Sequence, residues 1–189
     1  MDIKHLNKLL KSLPMLETDQ LTLSKITVKN TDDMYEYASR SEVTKYLLWE
    51  PHINLYETKG YIEFVQRKYR CGEFFDWGVN YKADNKFIGT IGFTTIDPDH
   101  EKAELGYVLS PAYWHMGLMS EAVKRVIEFA FYECGFNRLE LKIMQGNANS
   151  MKLAEHLGFK FEGCLRDYMI VKGKPENICI YSLLKSEYN

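Results

Sequence analysis

The spacing of hydrophobic positions changes period several times along the chain. Residues 1–14 place Ile3, Leu6, Leu9, Leu10 and Leu13 at helical intervals with Lys4, Lys8 and Lys11 between them, and Pro14 closes the run. This predicts a short amphipathic helix docked on the domain's own surface, with a partner or dimer contact as the alternative. Residues 16–28 alternate with a period of two, and Leu21, Leu23 and Ile26 mark a first strand. Asn30, Thr31, Asp32 and Asp33 supply N-cap chemistry for a helix over 34–40, and a second helix is expected over 57–69. Between those helices runs an aromatic connection that includes Tyr46, Trp49 and His52.

Strand signals dominate next. Residues 75–81 (FDWGVNY) and 87–96 (FIGTIGFTTI) predict two strands around the polar turn at 83–86. Asp97-Pro98-Asp99-His100 then turns the chain into a third, 104–109, whose Leu105, Tyr107 and Leu109 point one way. Gly89 and Gly92 inside a strand mark a bulge or a close approach of backbone or ligand. Ser110-Pro111 stops the third strand, because proline has no N–H for a ladder. From Ser120 the period is helical again, with Ala122, Val123, Val126, Ile127 and Ala130 on one face, and Gly135 is placed as a C-cap. A strand over 139–144, a helix through His156 stopped by Gly158, and a hairpin around Lys172-Gly173-Lys174 complete the chain. An antiparallel meander followed by strand, helix, strand, helix predicts an α/β (α+β) domain with a mixed sheet.

Charge narrows the class. With 24 basic and 26 acidic residues the net charge is −2, and no long basic run is present, so nothing in the charge pattern marks a nucleic-acid surface. A chain of 189 residues buries about 70% of its unfolded surface and fits one domain without disulfides. Cys71, Cys134, Cys164 and Cys179 form no Cys-x-x-Cys pair, and the five histidines are similarly scattered. Reduced thiols are expected, with neither a zinc site nor a disulfide framework. No secretion signal or membrane span is read, which predicts a cytoplasmic protein.

Trp114-His115-Met116-Gly117-Leu118-Met119 must carry the chain from the 104–109 strand to a helix N-terminus. The first N–H groups of a helix lack internal partners and the macrodipole is positive there, so such a turn favours a phosphate or pyrophosphate. Gly117 allows close backbone approach or a positive φ. As an isolated feature this is also an ordinary glycine turn before an ordinary helix.

The rest of the chain separates those readings. Residues 114–122 resemble the acetyl-CoA loop of the GCN5-related N-acetyltransferases (GNAT), Gln/Arg-x-x-Gly-x-Gly/Ala. Tyr113, Trp114, Gly117, Glu121 and Ala122 match the branch of RimJ- and RimL-type ribosomal-protein N-terminal acetyltransferases, while His115 and Met119 depart from it. The stretch NANSMKLAEHLGFKFEG resembles the family's Asn-x-x-Ser…Leu-Gly-Phe-x-x-Glu-Gly element through Asn147, Ser150, Leu157, Gly158, Phe159, Glu162 and Gly163. Residues 165–168 and 181–188 are similar to the same branch.

This resemblance implies a GNAT fold, a mixed, mostly antiparallel twisted sheet of about six to seven strands flanked by helices. The sheet would be split between the strands before the cofactor loop and after its helix. Residues 1–14 form an N-terminal helical extension and 15–189 a single acetyltransferase domain. The implied activity is transfer of an acetyl group from acetyl-CoA, as co-substrate and without a metal, to a primary amine. The acceptor is a protein N-terminal α-amine of the ribosomal-protein type or a small-molecule amine such as a polyamine or antibiotic. A non-catalytic CoA-binding sensor or scaffold stays open as an alternative, as does a homodimer.

Site residues follow from the same resemblance. His115, Met116, Gly117, Leu118, Met119 and Ser120 would cradle the pyrophosphate, the N–H of Val108 or Leu109 would meet the thioester carbonyl, and Asn147 and Asn149 would touch the cofactor. Glu104 is the candidate base acting through water, or else a solvent-facing strand residue. Many relatives protonate the leaving thiolate with a tyrosine where this chain has Ala154, so Ser150 is the candidate acid, or else a helix cap or cofactor contact. Trp49, Tyr46, Trp77 and Tyr168 are the candidate acceptor-binding walls.

Overall fold

The structure, a computed structural model, describes residues 2–72 and 75–188. Met1, at the head of the expected N-terminal helix, and Asn189, the last residue of the expected domain, lie outside the described residues. The strands are β1 (Leu16–Glu17), β2 (Leu21–Ser24), β3 (Phe75–Tyr81), β4 (Lys86–Asp97), β5 (Lys102–Leu109), β6 (Arg138–Met144), β7 (Lys160–Val171) and β8 (Lys174–Leu184). They form one sheet in the order β1-β2-β3-β4-β5-β6-β8-β7, antiparallel except where β5 meets β6. The helices are α1 (Ile3–Ser12), α2 (Thr31–Ala38), α3 (Ser41–Thr44), α4 (Leu55–Cys71), α5 (Leu118–Glu128) and α6 (Ala148–His156).

Eight strands replace the six to seven expected, and one cause is local. Thr18 accepts the Leu21 N–H on its hydroxyl at 2.9 Å while its own N–H donates to the Leu21 carbonyl at 3.0 Å. The alternating run that reads as one strand therefore folds back at Asp19-Gln20 into a hairpin, an alternative that threonine side chains offer the backbone. Leu16, Leu21 and Leu23 remain buried through the reversal.

Strand alternation divides the sheet into two faces. On the first, Trp77, Ile91, Leu105, Leu139, Leu141 and Ile143 are buried toward α5 and α6, with Trp77 edge-on to Phe129 at 5.4 Å. On the second, Asp76, Gly78, Thr90 and Val108 share the side covered by α2 and α4. Leu6 and Leu13 bury α1 and its C-terminal end in the same core, and the Trp77 indole donates to the Pro14 carbonyl at 2.7 Å. Helix α5 is pinned to the β1–β2 turn, where the Glu121 carboxylate accepts the backbone N–H of Gln20 at 2.9 Å and its side-chain amide at 2.7 Å. Burial works against ionisation of Glu121, yet hydrogen bonds from Thr18 and Gln20 hold its pKa below the usual carboxylate value.

The sheet is split in the middle. β5 pairs with β4 from Lys102 to Leu109, but with β6 only through Lys102, Ala103 and Glu104 opposite Arg138, Leu139 and Glu140. Beyond those pairs β5 and β6 run on unpaired to each other, β6 staying bonded to β8. A bulge in β4 between Phe93 and Thr95 sits opposite Glu104 and Leu105, where the two strands part. Bulges bend and twist a strand locally, which is the deformation this parting requires.

Gly89 shows how tightly β4 holds β5. It pairs with Leu109, and a Cβ there would run into the Val108 carbonyl oxygen, a backbone atom that cannot swing away. Gly89→Ala should lower stability by roughly 1–3 kcal/mol as an overpacking change. Gly60→Ala, inside α4 with nothing within 4 Å of the added carbon, should raise it by about 0.5–1 kcal/mol. Denaturant midpoints of the two variants check the contrast, and equal shifts would contradict it.

Candidate functional site

Three groups of residues border the gap between β5 and β6. The first is β5 itself. Ser110 N–H donates to the Ile88 carbonyl at 2.8 Å, which fixes the alternation of the antiparallel ladder. The backbone groups of Val108 and Ser110 face β4, and those of Tyr107 and Leu109 face the gap. Of the two amides expected to meet a carbonyl ligand, Leu109 points the right way. The Val108 amide is turned into the ladder, so Val108 is corrected to a side-chain wall.

The loop after β5 is held by two aromatic anchors. Trp114 donates its indole N–H to the Leu109 carbonyl at 2.9 Å, and the Tyr113 hydroxyl donates to Asp84 at 2.7 Å. His115 (φ 63°) and Gly117 (φ 77°) adopt left-handed backbone and reverse the chain into α5. Gly117 is the N-cap and offers no side-chain acceptor, so the first N–H groups of α5 have no capping partner. His115, Met116 and Gly117 are exposed, Leu118 and Met119 are buried, and Ser120 is half-buried. An exposed, uncapped N-terminus of an eleven-residue helix is suited to an anion.

The second group is the start of α6. The Asn147 side chain accepts the Ser150 N–H at 3.3 Å and is the helix cap. The Ser150 hydroxyl is thereby released from capping and lies 2.7 Å from the Tyr107 hydroxyl. Burial raises the Tyr107 pKa to about 12 against the opposing effect of the Ser150 hydrogen bond, so this pair is protonated at neutral pH. It stands on the α5/α6 face of the gap. Asn149 is exposed one residue earlier.

The third group lies on the opposite face. Glu104 and Lys142 meet across the apex of the split at 2.9 Å, and the Lys142 ammonium sits 5.7 Å over the Tyr168 ring. The hydrogen bond to Glu104 raises the Lys142 pKa, outweighing burial. Further out on this face a cleft of about 140 Å³ opens between α2, α4 and the sheet. Its lining is Met34, Tyr37, Ala38, Trp49, His52, Tyr61, Thr90 and Val108, so it abuts the residue before Leu109. Trp49, His52 and Tyr61 form an aromatic row with centroids 5.2 and 6.2 Å apart.

Trp49 is therefore on the cleft, whereas two other expected walls are elsewhere. Trp77 has no exposure, points to the other face and spends its N–H on Pro14, so it is corrected to a core residue. Tyr46 packs with Met144, Val171 and Ile178 beside Gly146, across the gap from Trp49. The Lys172 ammonium donates to the Thr44 carbonyl at 2.7 Å and lies 3.7 Å from Glu50, so the 44–50 connection spans from one half of the sheet to the other. Tyr37 and Tyr61 are not singled out by sequence, His52 is named only as part of the aromatic connection around Trp49, and Tyr107 is marked only by its position between Leu105 and Leu109 on one strand face. Cys164 and Cys179, register partners in the β7–β8 hairpin, have an S–S distance of 3.1 Å. Among the described residues no group of His, Cys, Asp and Glu could hold a metal ion, and no helix is long and apolar enough to cross a membrane.

His52 is the titratable group of the cleft with a directly testable state. Burial lowers its pKa from the usual 6.5, opposed by Glu57, while its Nδ1 hydrogen-bonds the Thr58 hydroxyl at 2.8 Å. The folded state then binds a proton less readily than the unfolded one, so the stability it contributes is complete above about pH 6.5 and lost as the pH falls toward the folded value. An NMR titration should place the His52 midpoint below 6.5; a midpoint above it would reverse the sign.

Comparisons with known proteins agree with this geometry. Residues 20–160 match the family model for the acetyltransferase (GNAT) domain. The uncharacterized N-acetyltransferase p20 of Bacillus licheniformis is 36% identical over 173 residues, covering 92% of this chain and 97% of that protein. A ribosomal-protein-serine acetyltransferase of Escherichia coli is 27% identical over 99 residues, 52% of this chain and 55% of its own. The structure of the microcin C7 self-immunity acetyltransferase MccE, in complex with acetyl-CoA and AMP, superposes with a TM-score of 0.78 at 24% identity, covering 88% of this chain and 93% of that one. At that identity the likeness is one of fold.

Proposed function

The chain belongs to the GNAT acetyltransferase family, and from that membership we propose that it transfers the acetyl group of acetyl-CoA to a small primary amine held between α2 and α4. The observation that carries the reading is the split between β5 and β6, with anion-seeking amides at one side and an enclosed aromatic cleft at the other. Acetyl-CoA bound to MccE supports the choice of donor. The N–H groups of residues 118–120 receive the diphosphate, and the Leu109 N–H donates to the thioester carbonyl as negative charge develops on its oxygen, an effect worth a few kcal/mol in such sites.

The two proton transfers are divided between the faces. Ser150, backed by Tyr107, gives a proton to the departing thiolate on the α5/α6 side. On the other side a base takes the proton of the amine, which for an alkylamine has a pKa of about 10. Glu104 is that base through water; neutral His52 inside the cleft is the second candidate. A ribosomal-type α-amine is the second reading of the acceptor, supported by the Tyr113–Ala122 and Asn147–Gly163 motifs and by the Escherichia coli relative. We place the reaction in the cytoplasm, a compartment that the four free cysteines fit.

Incubation with acetyl-CoA and a panel of amines and peptides, read by mass spectrometry, tests the proposal; saturable CoA binding without acetylation of any amine would leave a sensor. Gly117→Val should raise the CoA dissociation constant at least tenfold. No protein atom lies within 4 Å of the added carbon, so the loss would report the ligand, apart from about 1 kcal/mol of left-handed strain. Ser150→Ala should lower kcat roughly 10- to 100-fold with little change in the KM for acetyl-CoA. Glu104→Gln should slow the reaction most at low pH, where the amine is charged; an unaltered pH profile there, with the loss appearing in His52→Gln instead, would transfer the role to His52.

A further inference from the structure

The second face of the sheet carries a carboxylate that the chemistry above does not use. Asp76 is the cross-strand partner of Gly92, two residues along β4 from the cleft residue Thr90, with no register shift between them. Its side chain consequently rises on the cleft side, opposite to Trp77. It is only 8% exposed. Among the described residues no hydrogen bond or ion pair reaches this carboxylate, and the phenol hydroxyls of Tyr37 and Tyr61, which feel its charge, have no hydrogen bond either. Tyr69 is different: its hydroxyl donates to the Asp76 carbonyl at 2.5 Å and accepts the Ile26 N–H at 3.2 Å.

Buried polar groups in folded proteins nearly always have partners. Among the described residues that are not themselves exposed, no fully enclosed side-chain nitrogen or oxygen lacks one, so the Asp76 and Tyr37 oxygens border free space and are not sealed in packed protein, while Tyr61 is 38% exposed. Both tyrosines line the cleft; Asp76 is not itself in that lining but adjoins it, on the same sheet face as Thr90 and close enough for its charge to act on both phenols. A carboxylate with aromatic rings around it and no resident cation is a binding site for an ammonium ion, which gains both the ion pair and the ring faces. Burial alone accounts for the Asp76 pKa rising to about 7, with no basic side chain to hold it down. The other titratable groups facing this space, Tyr37 from α2, Tyr61 and Tyr69 from α4 and His52 from the connection, are all neutral near pH 7.

We propose that Asp76 recognises a second, positively charged nitrogen of the acceptor, so that the cleft selects small aliphatic diamines. The register supplies the length. Val108 and Gly78 are two strands apart and Asp76 is two residues further along β3, which places Asp76 roughly 12 Å from the acetyl-receiving end. After about 3 Å for the ammonium–carboxylate contact, the two nitrogens are roughly 9 Å apart. An extended chain of about five or six carbons spans that interval. The identity of the reacting nitrogen rests on the acetyl-transfer reading; the cation subsite does not.

The test is calorimetric titration of CoA-saturated protein with 1,5-diaminopentane and with 1-aminopentane at pH 6 and pH 8. The diamine should bind at least tenfold more tightly at pH 8, and its advantage should shrink at pH 6, where Asp76 takes up a proton. Asp76→Asn should abolish the advantage, and Tyr61→Phe should reduce it. Equal affinities for the two amines, an advantage unchanged between pH 6 and pH 8, or an unchanged ratio in Asp76→Asn would each overturn the proposal; the pH comparison needs no variant to fold. In the acetylation panel, kcat/KM for the diamine should exceed that for 1-aminopentane at least tenfold, and a peptide N-terminus preferred over the diamine would overturn the assignment. Selective diamine binding with no acetyl transfer would uphold the subsite while removing the enzyme reading.

Discussion

Three backbone pairings hold the two halves of this sheet together, and the site depends on there being no more. Lys102, Ala103 and Glu104 meet Arg138, Leu139 and Glu140, after which β5 and β6 separate. A continued parallel ladder would use up the Leu109 N–H and close the space between Tyr107 and the opposite face. The unpaired edge is tolerable because it is internal. β4 holds β5 closely from the other side through Gly89, and β8 holds β6 along its length. An edge of this kind on the outside of a sheet would invite another strand; here it is bordered by the loop of Trp114 and the connection through Trp49.

Much of this was readable from residue order. The switch from period two to period 3.6 between Leu109 and Ala122 places strand, loop and helix correctly: the helix buries every residue its period predicts, and the strand buries Leu105 and half-buries Tyr107 and Leu109. Gly117 at the helix start is a local requirement, since φ 77° is costly for other residues. The missing acid tyrosine at Ala154 directed attention to Ser150, whose hydroxyl does face the gap.

What the sequence did not disclose depends on pairing between distant segments. The family resemblance implied a split sheet and Gly92 hinted at a bulge in β4, but the point where β5 parts from β6, after Glu104, is set by register between distant strands and leaves no local signal. The reversal at Asp19-Gln20 hid inside an alternating pattern because the hairpin keeps Leu16, Leu21 and Leu23 on buried positions. Tyr46 and Trp49 are three residues apart yet end on opposite sides of the gap, because the chain between them crosses it. Trp77 and Asp76 look alike as members of a short strand; alternation sends the tryptophan into the core and the carboxylate toward the cleft.

The faces of the split sheet also separate two kinds of sequence change. Under the proposed function the donor is gripped by β5's inner edge, the Trp114 loop and the start of α6, while the acceptor is met by α2, α4 and the connection between them. Drift in the second set can redirect the protein toward a new nucleophile without disturbing the first. One ancestral scaffold can thus give rise to paralogues that share a donor and differ in what they modify, and divergence among them should concentrate between residues 34 and 61.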